Sequence, residues 1–252
     1  MFSLGFSLTS IPILQRGGSA TSRILGAGGL DYADYRLTDF SRLWQDDAGT
    51  TPVDAYGQPI GRAVAFQKPG HMATQANNNY KPFAQSAGAK PDGIDDHLAS
   101  GWLGQAGANC MIVRAQVLSS ISGTQIFSGA QDAGGANKFW FGCGAVGQLL
   151  GGVGPQNGSV IFSAGVDVRN RDAVFALCFS GSVVKIYCDE AEVYSAAQAG
   201  QATTTTPQMI GCLNNGGFPV TYTSAYVNRI AFGKVFPTLE EFKSIRAEWL
   251  SA

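Results

Sequence analysis

No run of basic residues longer than a pair occurs in the chain, and its 17 Lys and Arg against 18 Asp and Glu leave a formal net charge of -1. A nucleic-acid partner needs a basic stripe to neutralise phosphates, so that class is excluded. No apolar run approaches the roughly 20 residues that span a bilayer, which excludes membrane insertion by a helix. Histidine is scarce: His71 and His97 are the only imidazoles available as a base for a nucleophile, and there is no GxSxG elbow. HExxH, a Cys/His quartet and EF-hand spacing are missing too, so no metal and no other cofactor is expected. The cysteines, Cys110, Cys143, Cys178, Cys188 and Cys212, are odd in number, contain no CxxC and sit in apolar runs such as VFALCF. That is the pattern of buried free thiols in a reducing compartment, with a single disulfide as the alternative.

What the chain does have is strands. From Met111 onward short segments of strand character follow one another: MIVRAQVL, TQIF, KFWFG, SVIFS, AVFALCF, VVKIY, PQMIGCL and SAYVNRIAFGKV. In MIVRAQV, Met111, Val113, Ala115 and Val117 point one way and Arg114 and Gln116 the other, the period of a sheet with one buried and one wet face. The 33 glycines, against a usual share of about 7%, concentrate at the breaks between strands, where turns need them. VFALCF, VVKIYC and EVYSA, joined by SGS and DEA, predict a three-strand meander. One helix is clear: in PTLEEFKSIRAEWL, Thr238 and Glu241 are spaced as a capping box and Leu239, Phe242, Ile245 and Trp249 share a face that should pack on a sheet. Upstream, Phe40 to Trp44 reads as a short helical turn beside an acidic loop.

The motifs that carry chemistry elsewhere do not find their context here. GCGAVG at 142–147 matches GxGxxG after a strand, with Asp167 at the distance of a ribose-binding acid. A dinucleotide site also needs a helix N-terminus for the pyrophosphate, and the glycines and proline of QLLGGVGPQNG cannot sustain a helix, so a Gly-rich turn is expected. Glycosidases use two carboxyl groups flanking a sugar bond. The acidic cluster Asp189, Glu190 and Glu192 falls on a hairpin tip. In DGIDDHL at 92–98, Asp92-Gly93 starts a turn, Ile94 is expected to point inward, Asp95 and Asp96 to accept backbone N–H groups, and Leu98 to return to the core. A loop-bound cation is the lesser alternative there. His71, in QKPGHMATQ, reads as a solvated loop histidine.

The N-terminus, MFSLGFSLTSIPILQRGGSA, lacks the basic n-region of a secretory signal. Its apolar residues Phe2, Leu4, Phe6 and Leu8, then Ile11 and Ile13, alternate as in a strand. Residues 1–29 are therefore read as an extended assembly arm ending in a flexible linker, GGSATSRILGAGG, and residues 30–252 as one β domain, the alternatives being a signal cleaved near GSA and an arm that is the first strand of the sandwich itself. The NGS sequon at Asn157 matters only in a secreted eukaryotic protein.

Several of these pieces occur in a family's order. DGIDDHL is similar to the FDGVDDYL signature of concanavalin A-like lectin/glucanase domains of the LamG type. LWQDDAGTTPVDAYGQPIGR and HMATQA precede it, and VFALCFSGSVVKIYCDEAEVYSA, TTTTPQMIG and RIAFGKVFPTLEEFKSIRAEWL follow, so the resemblance covers residues 36–252. It implies an all-β, concanavalin A-like β-sandwich (jelly roll), with the N-terminal extended arm and a short C-terminal helix added. LWQDxAGTTPV followed by such a sandwich resembles virion proteins of tailed phages and prophages. The chain departs from the pattern where CDEAE replaces an NG turn and where AVAFQKPGHMATQ lacks a DKSGNG-like turn that in relatives can lie near an ion. The ExDxxE motif of the glucanase members is absent.

The resemblance thus implies a non-enzymatic virion structural protein, on a tail tip, fibre or capsid, made in the bacterial host cytoplasm. It would join other virion proteins through the arm by edge-strand pairing and form a homo-oligomer such as a trimer. The alternative is a carbohydrate-binding module for a host surface glycan, with Trp102, Tyr80 and Phe218 as the loop aromatics placed to stack on sugar rings; a glycoside hydrolase ranks below both.

Overall fold

The computed structural model describes residues 18–67, 70–133, 137–154, 160–198 and 203–251. Two sheets face each other across one hydrophobic core. The first runs, edge to edge, Ala191–Ala197, Val183–Cys188, Arg171–Phe179, Asn109–Val117, Tyr226–Gly233, Gly88–Lys90 and Phe83–Gln85, with Tyr32–Arg36 also pairing Tyr226–Gly233. The second runs Val160–Asp167, Gln148–Gly154, Lys138–Cys143, Gln125–Gln131, Met209–Ile210, Leu98–Ala99, Met72–Thr74, Arg62–Val64 and Leu43–Trp44. A small hairpin, Leu213–Asn215 with Phe218–Val220, joins the second sheet through parallel pairing with Gln125–Gln131. This is the all-β jelly-roll sandwich with a short C-terminal helix that the sequence leads one to expect.

Alternation fills the core. Met111, Val113, Ala115 and Val117 from one sheet meet Phe127, Phe139 and Phe141 from the other, all fully buried. Phe127 stacks on Phe175 with centroids 5.8 Å apart, tying the layers together. The meander of Arg171–Phe179, Val183–Cys188 and Ala191–Ala197 is antiparallel throughout. Of the helical turn expected over Phe40 to Trp44, Phe40–Arg42 forms, capped by the Asp39 side chain, while Leu43–Trp44 is a strand.

Three expectations are corrected. The outer face of the first sheet is not wet: Cys110, Ile112, Val174, Ala176 and Cys178 lie under two helices, α1 (Ala20–Leu25) and α2 (Leu239–Leu250), which contribute Ile24, Leu25, Phe242, Ile245 and Trp249. Arg114 on that face is half-buried, pairing with Asp172 at 2.8 Å and donating to the Trp249 carbonyl at 2.6 Å.

Nor are residues 18–29 a flexible linker throughout, because α1 forms within them and docks on the first sheet. Ser19 caps α1 through the Ser22 N–H, and Ile24 and Leu25 are apolar enough to dock. Thr21 Oγ1 accepts from the Trp249 indole at 2.8 Å and donates to Glu248 at 3.1 Å, while Arg229 pairs with Asp34 at 2.6 Å and with Glu248 at 3.0 Å. Arg229 and Asp34 are buried and Glu248 is partly so; their pairing offsets the cost of burying charge, while Arg229 Nη1 is left without a hydrogen-bond partner among the described residues. The arm residues Phe2, Leu4, Phe6, Leu8, Ile11 and Ile13 lie outside the described residues, as does Asn157.

The third correction concerns QLLGGVG, which is a strand, Gln148–Gly154, and the hairpin partner of Lys138–Cys143. GCGAVG supplies the turn between them, with Gly147 at φ +83° and its N–H bonded to the Gly144 carbonyl. PQMIGCL likewise divides into two short strands at Gly211, φ +93°.

Candidate functional site

With both helices on the first sheet, no helix among the described residues covers the outer face of the second. That face carries an open groove of about 280 Å³, near the lower end of small-molecule sites. Ile126, Trp140, Leu150 and Leu213 form its apolar floor, and Thr124, Gln131, Lys138 and Thr221 its rim.

Glycine shapes the floor. Trp140 stands opposite Gly129 on one neighbouring strand and Gly152 on the other, both on its own face. The indole lies across the space those residues leave: a methyl group at 152 would run into the indole ring, and one at 129 would meet the Trp140 Cβ and come within 2.8 Å of Leu213 Cδ1. An aromatic side chain laid over strand glycines is a recognised way to cover the weak spot they make. Trp140 is 6% exposed, so it floors the groove and does not project from it.

The rim holds one strained residue. Thr221, just after Phe218–Val220, has φ +52°. A β-branched side chain in the left-handed region costs of order 1–3 kcal/mol and persists where the surroundings enforce it, often at ligand sites.

The three aromatics expected to stack on sugars are placed differently from one another. Phe218 is 74% exposed and belongs to the groove's own hairpin: the pairs Asn215↔Phe218 and Leu213↔Val220 put it on the face of Leu213, two residues beyond Val220. Tyr80 is half-exposed and stacks on His97 with centroids 6.2 Å apart. Trp102 is corrected: it is 3% exposed, held between Phe232 at 6.0 Å and His71 at 5.8 Å, with Lys234 over its ring. At that exposure the ring offers little surface on which a sugar could stack.

The heptad 92–98 forms a turn. Asp92 Oδ1 accepts from the N–H groups of Ile94 at 2.8 Å and Asp95 at 3.2 Å, and Asp96 Oδ2 accepts from the Asp92 N–H at 3.0 Å. Leu98 is buried as expected, but Ile94 is 72% exposed, because the turn spends its inward position on Asp96. Burial, then the charges of Asp92 and Asp95, push the Asp96 carboxyl up to about 7. The carboxylate oxygens of Asp92, Asp95 and Asp96 lie within 4.8 Å of one another, the group of residues in a position to hold a hard cation. His97 Nδ1 lies 2.9 Å from the Asp95 carbonyl, which can only accept, so Nδ1 carries the proton and Nε2 accepts from Gln75 at 2.9 Å. Burial lowers its pKa and keeps the ring neutral.

The other titratable candidates are engaged structurally. His71 Nε2 lies 3.0 Å from Asp31. Asp189 pairs with Arg171 and, at 3.5 Å, with Arg246; Glu190 pairs with Arg246 at 3.0 Å and Glu192 with Lys185 at 2.8 Å. All five cysteines are buried. Burial pushes the Cys143 thiol up to about 12 and that of Cys188 up to about 11, which suppresses the reactive thiolate.

No family model matches the chain, and no curated protein matches its sequence. Solved structures resemble it at low identity. The CBM40 of the Ruminococcus gnavus IT-sialidase is 13% identical over 58% of this chain and 84% of that one, with a TM-score of 0.48. Domain 4 of AbnA, a GH43 extracellular arabinanase from Geobacillus stearothermophilus, solved with arabinotriose, is 12% identical over 90% of this chain and 95% of that one, with a TM-score of 0.47. The NanB sialidase of Streptococcus pneumoniae is 14% identical over 56% of this chain, with a TM-score of 0.48, and the match spans only 24% of the sialidase. At such values no function passes from these proteins to this one.

Proposed function

We propose that the chain is a non-catalytic adhesion module that binds a glycan in the groove over Trp140. One observation carries this: the open face of the second sheet presents an apolar floor bounded by hydroxyl, amide and ammonium groups. Sugars have apolar C–H faces and hydroxyl edges, and a site of that composition matches both. The strained Thr221 on the rim and the exposed Phe218 on the same hairpin support the same location.

A binding role fits the acidic residues better than hydrolysis does. Among the described residues that line the groove there is no Asp or Glu. Asp189, Glu190 and Glu192 are held by cations, and Asp92 and Asp96 close a turn. A general acid must be free to give its proton to the leaving group.

The likeness of LWQDDAGTTPV followed by such a sandwich to tailed-phage virion proteins supports a place for this module on a virion, at a tail tip, fibre or capsid. In this reading the protein is made in the bacterial cytoplasm, assembles as a homo-oligomer, joins other virion proteins through the stretch from Phe2 to Ile13, and offers the groove to a glycan of the host surface.

A glycan array probed with the purified protein tests the binding role. Wild type should bind a defined set of oligosaccharides. Trp140→Ala should lose them, and so should Thr124→Trp, at an exposed rim position that leaves the core alone. Binding that survives Thr124→Trp, or an array on which wild type binds nothing, would overturn the proposal.

A further inference from the structure

Resting on the reading of the groove as a glycan site, we infer that the sugar it takes is acidic, with a carboxylate received by Lys138 and Gln131. Among the described residues, Lys138 is the single charged one in the groove lining. Among the described residues it has no ion pair, hydrogen bond or aromatic contact of its side chain, and in this it differs from the chain's other strand-borne and buried lysines. Lys185 is held by Glu192 at 2.8 Å, Lys81 by the Gln45 carbonyl at 2.9 Å and by Asn78, and Lys90 lies over Tyr226.

The register explains why this ammonium is available to a ligand. Lys138 is two residues from Trp140 on one strand, hence on the same face and about 7 Å along it. Opposite it on one side stands Gly154, which brings no side chain of its own to that face; on the other side stands Gln131, itself part of the lining. A pyranose lying on the Trp140–Leu213 floor with a carboxylate on its ring edge brings that group between an ammonium and an amide N–H. The ammonium then forms a charge-assisted hydrogen bond that a neutral sugar cannot offer.

Isothermal titration of the whole chain with short oligogalacturonides and with their carboxyl-reduced neutral counterparts tests this. The acidic form should bind roughly tenfold tighter at low salt, a difference of about 1.4 kcal/mol. Its advantage should shrink as ionic strength rises. Lys138→Met should abolish the preference, the acidic form then binding no tighter than the neutral one, and Lys138→Arg should keep it. Equal binding of the two forms, sensitive to Thr124→Trp, would overturn the acidic preference and leave the glycan site standing. Failure of both forms to bind, together with a blank array, would overturn the glycan site and this inference with it.

Discussion

Thr221 concentrates the tension between stability and use that binding sites show. Its φ of +52° suits glycine and not a β-branched residue. Thr221→Gly should therefore raise the unfolding free energy by about 1 kcal/mol in urea titrations, while weakening glycan binding by removing a rim hydroxyl. A variant that is less stable than wild type would show that the threonine is held without strain. Asp96 makes a second prediction at this scale. Its carboxyl is raised to about 7 in the fold and ionises near about 3.9 in an unfolded chain. Between those values the folded protein holds a proton that the unfolded chain has released, so this group makes stability fall as pH rises from about 4 to about 7 and adds no slope outside that window. Denaturation across that range should show the fall in wild type relative to Asp96→Asn; parallel curves for the two proteins would contradict the assignment.

Among the elements, α1 is the one whose attachment is most open to test. It is short, so its stability comes from docking Ile24 and Leu25 and from the Thr21 contacts to Glu248 and Trp249. Leu25→Ala should cost about 2–5 kcal/mol, measured by chemical denaturation; a loss near zero would mean that the helix is not part of the folded unit. The sequence announces α1 poorly because six residues are too few to display a helical period, and GGSATSRILGAGG looks like a tether. Gln148–Gly154 is hidden for a related reason. Its glycines read as turn residues, whereas Gly152 is glycine because the indole of Trp140 needs the space across the hairpin. The strand Asn109–Val117 is legible because its alternation is local, as is the capping box of α2, both halves of which form. Burial of Trp102 is not legible: beside Gly101 it looks like a loop aromatic, and the partner that covers it, Phe232, is far along the chain. The groove eluded sequence reasoning in the same way, since Ile126, Trp140, Leu150 and Leu213 meet only through pairing between strands. Its one local signal is a tryptophan in a strand followed by a glycine-rich strand.

On the scale of the whole molecule, the two faces of the sandwich have different fates. One carries α1 and α2, tied down through Arg229, Asp34 and Glu248. Among the described residues the other carries no helix and forms a groove over a tryptophan floor. That asymmetry is the basis for assigning recognition to the second sheet. Backbone amide and indole NMR shifts, followed as an array-identified oligosaccharide is added, test it most directly. The largest changes should fall on the Trp140 indole N–H and on the amides of Ile126, Leu150, Leu213 and Thr221. Changes confined to the turn from Asp92 to His97, or to α1 and α2, would contradict it.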